Sequence, residues 1–243
     1  MRREIHGWHS PSLHKHMDLV VYGHYGFAML LLPTAAADFL EYERFLLIDA
    51  ITHHIESGKV KVFSINSINS ESWLNNHMEP RHKAIRHTQF NAYVNNEVVP
   101  FIKNFTSPET PIILSGASLG ALHGANLFFK RPDLFGGVIA MSGTYDLTIY
   151  TAGYWDEDVY FNSPIHYLEN MDDGYWLPRL QHSSHIHILT GSGDYEQPHE
   201  STRLSHILNL KNIPHELDIW GTDMTHDWPT WRAMLPYYLE SRF

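Results

Sequence analysis

The sequence predicts an α/β protein: a mostly parallel central sheet with helices on both faces and an antiparallel hairpin along its N-terminal edge. Three observations predict it. Short apolar runs such as FAMLLL (27–32) and PIIL (111–114) read as strands buried on both faces. These runs alternate with stretches of helical length, the pattern of strand–helix–strand units. The first two strand-like runs, in contrast, are joined only by the turn-rich PSLHKH, which suits antiparallel neighbours.

Taken in order, REIHGWHS (3–10) and MDLVVYG (17–23) form the expected hairpin, and FAMLLLP begins the parallel part. EYERFLLIDAITHHIESG (41–58) reads as one helix stopped by Gly58, and VKVFSINS (60–67) as the next strand. Residues 81–105 read as a long helix with Val94, Val98, Phe101, Ile102 and Phe105 along one stripe. PIILSGA is a strand, LGALHGANLFFK (119–130) a helix closed by Arg131 and Pro132, and GGVIAMSG (136–143) a strand. Residues 144–184, rich in Tyr, Trp, Asp and Asn, show no clear period and are long enough to be a lid-like insertion. Strand HIHILTG, helix ESTRLSHILNLK, strand HELDIWG and helix WPTWRAMLPYYLESR complete the chain. Without an internal repeat or linker, residues 1–243 read as a single domain.

Composition excludes several functions. A formal net charge of −10, with no basic run, argues against a nucleic-acid partner. The absence of cysteine excludes disulfides, thiolate metal ligation and a cysteine nucleophile. The polar start MRREIHGWHSPSLHKHM does not read as a signal peptide, and FAMLLLP is too short to span a bilayer, so a cytoplasmic protein away from membranes is expected. Nineteen histidines include the close pairs His14/His16, His53/His54 and His185/His187, but no carboxylate recurs beside them in a metal-ligand spacing. No metal or organic cofactor is expected.

The chemistry centres on Gly116-Ala117-Ser118-Leu119-Gly120. A strand before this pentapeptide and a helix directly after it would make Ser118 the pivot of a sharp turn, with glycines where side chains would collide. The alternative is an ordinary glycine-rich turn with a capping serine. A serine hydroxyl needs a base to act as nucleophile. His226, in TDMTHDWPTWR after the last strand, falls at the same sheet edge as the turn. Asp194 and Glu196, in GSGDYEQP, are both available as the acid that orients the imidazole. The order serine, acid, histidine is that of one hydrolase architecture and not of the two best-known protease folds.

On these residues the chain resembles the α/β-hydrolase superfamily, with its three-layer α/β-hydrolase fold. More narrowly, it resembles the esterase family that holds S-formylglutathione hydrolases, feruloyl esterases, enterochelin esterases and mycolyltransferases. GASLGALHGAN, TGSGDYEQP and HDWPTWR carry the likeness, with LLLPTAAADFLEYE and NSESW supporting it. The resemblance implies Ser118 as nucleophile, His226 as base and an acid in the 194–196 loop. The Gly191-to-Asp194 spacing favours Asp194, while the YE-x-P pattern of similar sequences places Glu196 slightly ahead. It also implies an oxyanion hole made by the Leu119 N–H and a donor in the loop after FAMLLL. Where relatives carry His-Gly or Asp-Gly, this chain has Pro33-Thr34-Ala35, which points to the Ala35 N–H, with Thr34 as the fallback.

The expected activity is that of a serine carboxylesterase acting on small acyl or aryl esters through an acyl-enzyme. Two alternatives use the same scaffold: a serine acyltransferase, and a non-catalytic or His-rich metal-binding module. Trp73 and Trp155, with Tyr154 and Tyr160, are candidates for the wall of a substrate pocket, or else simply pack the 144–184 segment onto the body. His123 faces either the site or the core. Exposed edge strands and an aromatic C-terminus are compatible with a homodimer.

Overall fold

A computed structural model describes residues 1–35 and 37–243. Eight strands form one sheet: β1 Arg3–Ser10, β2 Lys15–Tyr22, β3 Phe27–Leu32, β4 Val60–Ile65, β5 Ile112–Ala117, β6 Gly137–Met141, β7 His185–Thr190 and β8 Glu216–Ile219. Their order across the sheet is β1-β2-β4-β3-β5-β6-β7-β8. β1 pairs antiparallel with β2, and β2 antiparallel with β4. Every pairing from β4 to β8 is parallel. The edge hairpin and parallel body expected from the sequence are both present.

Side-chain alternation builds two cores from the same strands. In β3, Leu30 and Leu32 enter one core, while Met29 and Leu31 enter the other. The first core is roofed by α1 (Pro80–Tyr93), α2 (Leu119–Lys130) and α3 (Pro198–Leu210), through side chains such as Phe90, Phe128 and Leu204. The second is roofed by residues 41–56 and by α4 (Trp228–Arg242), through Tyr42, Ile48, Ile55, Trp231 and Leu235. Such a sheet, apolar on both faces, requires this three-layer arrangement.

Two helices differ from expectation. The helix expected over 41–58 is three short segments, Glu41–Arg44, Leu47–Ala50 and Thr52–Glu56, broken at Leu46, whose φ is 61°. The break has a tertiary cause: Phe45 stacks on Trp228, with centroids 4.5 Å apart, and its carbonyl accepts from Arg232 Nη1. The long helix over 81–105 starts at Pro80 and passes through a π-turn at Val94–Val98 before Val99–Phe105. Pro100 supplies no N–H, and the wider turn beside it absorbs the missing bond.

Residues 144–184 are not featureless. They contain a 3-10 turn at Leu147–Tyr150 and short helices at Glu157–Tyr160, Pro164–Glu169 and Trp176–Gln181. Asp146 and Asp156 cap the first two of these elements. Among the described residues, no helix is long and apolar enough to cross a membrane.

Candidate active site

Ser118 lies between β5 and α2 with φ 56° and ψ −122°, a backbone conformation that a non-glycine residue adopts only under constraint. The constraint is visible in the flanking glycines. A Cβ on Gly116 would stand 2.4 Å from the Gly120 carbonyl carbon, and one on Gly120 would stand 2.2 Å from the Leu32 carbonyl oxygen. The turn therefore closes only because both positions lack side chains. The Ser118 N–H is held by the Met141 carbonyl of β6 at 2.9 Å, and the Leu119 N–H sits at the first, uncapped position of α2.

His226 comes from the loop between β8 and α4, and its ring packs edge-on against Trp231. Its N–H donates to the Asp194 carbonyl at 3.0 Å. This bond ties the His226 loop to the loop after β7. The two backbones approach so closely that a Cβ on Gly191 would lie 2.1 Å from the Met224 carbonyl oxygen.

The two acids expected from the sequence occupy different environments. Glu196 has a side chain only 1% exposed, and its Oε2 lies 3.4 Å from His226 Nδ1. Thr190 Oγ1 donates to the same oxygen, and Ser142 Oγ donates to Oε1 at 2.6 Å. Burial alone would raise the Glu196 carboxyl, but the bonds from His226 and Ser142 outweigh it and hold the group below its ordinary value. Asp194 is exposed, and among the described residues its carboxylate accepts no hydrogen bond; only its carbonyl meets His226. Between the two acids, Tyr195 takes φ 65°, and the Glu196 N–H closes a tight turn on the Gly193 carbonyl.

Ser142, just past β6, was not legible as a site residue. It takes φ 51°, gives its hydroxyl proton to Glu196 and accepts the Trp231 indole N–H at 3.0 Å. Its position at the carboxyl end of a central strand was the only signal in the sequence that could have marked it.

Ser118, Ser142, Tyr150, Tyr195, Gln197 and His226 line one cavity of about 160 Å3. Ser118 and His226 thus face the same space, although no direct hydrogen bond between their side chains is closed.

The loop after β3 runs beside the serine turn. The Thr34 N–H and hydroxyl are both taken by the buried Glu41 carboxylate. The Thr34 and Ala35 carbonyls accept from Asn69 Nδ2 at 3.0 and 2.8 Å. The Ala35 N–H donates to no acceptor among the described residues. Thr34, the fallback donor, is therefore already engaged.

None of the four aromatic candidates lines the cavity at Ser118. Trp73 is 1% exposed and donates its indole N–H to His87 Nδ1 at 2.8 Å, behind Tyr150. Trp155 is half exposed and packs against Tyr160 and His166. Tyr154 bonds Asp156, and Tyr160 lines a separate cavity with Phe129 and Trp176. The aromatic residues that do line the cavity at Ser118 are Tyr150 and Tyr195. Of the histidine pairs, His54 approaches Glu240 and His187 bonds Glu216. Among the described residues, no group of three or more His, Asp or Glu side chains is arranged to hold a metal.

The strand order, the two-sided helical cover and the serine turn define the α/β-hydrolase fold. Solved structures with this fold include a ferulic acid esterase (TM-score 0.75, 17% identity, 98% of this chain and 96% of that one). Similar too are an S-formylglutathione hydrolase from Agrobacterium tumefaciens (0.73, 13%, 98% and 93%) and MPT51 from Mycobacterium tuberculosis (0.66, 15%, 99% and 97%). A search of curated proteins found no match. The model of the family described as "Putative esterase" matches residues 47–240, well over half of the sequence, and the chain belongs to that family. It is accordingly an esterase, a member of the carboxylic ester hydrolase class.

Proposed function

We propose that the protein is a carboxylesterase that cleaves small acyl or aryl esters with Ser118 as nucleophile, His226 as base and Glu196 as the acid behind it. The observation that carries this reading is a single cavity lined by both Ser118, at a strained strand-to-helix turn, and His226, with the Glu196 carboxylate on the far side of the imidazole. His226 takes the Ser118 proton through Nε2 as Oγ adds to the ester carbonyl carbon. The resulting oxyanion accepts hydrogen bonds from the Leu119 and Ala35 N–H groups. Its collapse breaks the bond to the alkoxy oxygen, and His226 returns the proton so that the alcohol leaves. Water, deprotonated by the same imidazole, then attacks the acyl-enzyme and releases the acid.

Glu196 holds the imidazole with its Nδ1 proton inward and offsets the charge the ring gains. Asp194 contributes its carbonyl to the His226 loop and no carboxylate to the reaction. A space of about 160 Å3 matches one aromatic ring or a short acyl chain, since an apolar protein cavity of about 150 Å3 holds benzene. In this reading residues 144–184 cover the site, with Thr144, Ile149 and Tyr150 contributing to its wall.

The test is a series of p-nitrophenyl esters of increasing acyl length, assayed with wild type and Ser118→Ala, together with labelling by a fluorophosphonate. The expected result is hydrolysis of short acyl esters, with labelling and turnover both abolished by the substitution. A Ser118→Ala protein that still turns over p-nitrophenyl acetate at the wild-type rate would sink the assignment. Added alcohol distinguishes hydrolysis from acyl transfer, because a transferase yields the new ester in place of the acid.

A further inference from the structure

Trp73, His87, His123 and Asn69 form a buried chain of hydrogen bonds that ends on the loop after β3. Trp73 Nε1 meets His87 Nδ1 at 2.8 Å, and His87 Nε2 meets His123 Nδ1 at 3.1 Å. His123 Nε2 meets Asn69 Oδ1 at 2.7 Å, and Asn69 Nδ2 meets the Thr34 and Ala35 carbonyls. All four side chains are at most 3% exposed.

The direction of every bond is fixed from both ends. An indole N–H only donates, so His87 Nδ1 accepts and its proton lies on Nε2. His123 Nδ1 then accepts, and its own proton lies on Nε2, facing Asn69 Oδ1. At the far end two carbonyls only accept, so the amide nitrogen of Asn69 must face them. Each imidazole therefore uses one nitrogen as acceptor and is neutral.

We infer that this one-way chain is a positioning device: it fixes the Thr34–Ala35 peptide so that the Ala35 N–H is free to serve as the second oxyanion donor. A planar trans peptide carries its C=O and N–H on opposite sides, so holding the Thr34 carbonyl on Asn69 turns the Ala35 N–H away from Asn69. Glu41 takes the Thr34 N–H, and Asn69 and Ser67 take the Ala35 carbonyl, so the loop cannot rotate without breaking several bonds. The same loop abuts the serine turn, where the Pro33 carbonyl oxygen lies 2.9 Å from the Cβ position of Gly120. Preorganised donors of this kind stabilise the transition state more than the bound substrate.

The inference rests on the serine-esterase reading, and the experiment separates the two. Asn69→Asp places only acceptor atoms against two carbonyls, His123→Phe cuts the chain while keeping bulk, and Trp73→Phe removes its far end. The readouts are kcat, KM, the affinity of phenylboronic acid as a tetrahedral mimic, and the thermal midpoint. The expected result is a kcat loss of about 10-fold or more for Asn69→Asp, smaller for His123→Phe and smallest for Trp73→Phe. KM stays within about twofold, and boronate affinity falls in parallel with kcat. His123→Gln, which keeps one donor and one acceptor, recovers most of the activity lost in His123→Phe. His187→Gln, a buried histidine outside the chain, serves as the stability control. Wild-type kcat and boronate affinity in Asn69→Asp and His123→Phe would overturn the inference while a dead Ser118→Ala left the esterase reading intact. Losses no greater than those of His187→Gln at an equal shift in midpoint would overturn it as well. An active Ser118→Ala would remove the reading on which it rests.

Discussion

Glu196 Oε2 lies 3.4 Å from His226 Nδ1, while the other carboxylate oxygen of Glu196 accepts the Ser142 hydroxyl at 2.6 Å. The carboxylate is thus held at both oxygens, one toward the imidazole and one toward the end of β6. In the proposed mechanism, a carboxylate fixed in this way needs no ordering during the reaction to orient the imidazole.

The first prediction concerns the choice of acid. Glu196→Gln lowers kcat by about 10²- to 10⁴-fold, the range expected when a histidine loses its orienting carboxylate. Asp194→Ala leaves kcat within about threefold, because that carboxylate is exposed and only the backbone of Asp194 touches the His226 loop. Steady-state rates on p-nitrophenyl acetate decide this, and the reverse ranking would move the acid to Asp194.

Ser142 supports the same carboxylate from behind. Ser142→Ala leaves Glu196 Oε1 without its donor and the Trp231 indole N–H without its acceptor. Leaving a buried polar group unpaired costs about 1–3 kcal/mol. The expected outcome is a loss of that size in urea unfolding together with a kcat reduced by about tenfold. Unchanged unfolding and turnover would mean that neither bond contributes.

The glycines of the serine turn make a steric prediction. Gly120→Ala puts a methyl 2.2 Å from the Leu32 carbonyl oxygen, a backbone atom that cannot step aside. Gly124→Ala, one helical turn later, meets side chains alone: Leu32 and Val138 at 3.4 Å and Leu114 at 3.7 Å. Gly120→Ala therefore destabilises the fold by about 3 kcal/mol or more and abolishes labelling of Ser118. Gly124→Ala stays within about 1 kcal/mol of wild type, its tighter packing offset by better helix propensity. Equal thermal midpoints for the two variants would contradict the close approach.

The buried histidines set a pH dependence of stability. Burial pushes His123 down from 6.5 to about 4, and burial, then the neighbouring His123 and Lys130, hold His87 well below its ordinary value. Between about pH 6.5 and 4 the unfolded chain takes up protons that the folded protein does not, so stability falls on acidification through this window and is constant in this respect above it. For His123 alone the loss amounts to about 3 kcal/mol over the window. Urea midpoints at pH 7 and pH 4.5 test this: the difference is smaller in His123→Gln than in wild type. An equal difference in the two proteins would show that His123 does not carry the effect.

The serine turn was legible because its cause is local. A strand, a serine flanked by glycines and an immediate helix can be joined only by a strained turn, so Ser118 could be read from ten residues of sequence. The order of serine, acid and histidine follows from which loops reach the same edge of a parallel sheet, and strand periodicity reveals that. The pocket wall was not legible. Trp73 and Tyr150 are both aromatic, and only the packing of residues 147–160 against α2 decides which one faces the cavity and which one lies behind it.

The sequence by itself determined the α/β architecture, the edge hairpin, the serine turn and the two loops that bring an acid and a histidine to it. Those features rest on periodicity and on backbone sterics, which act over a few neighbouring residues. Only the tertiary structure decided that Glu196 and not Asp194 faces His226, that residues 41–56 break at Leu46, and that His123 belongs to a buried chain ending on Thr34 and Ala35. Each of these depends on which distant segment a residue meets: Met224 against Gly191, Trp228 against Phe45, and Asn69 against the loop after β3. Contacts between segments tens of residues apart have no periodic signature, because they arise only when the folded sheet brings those segments together.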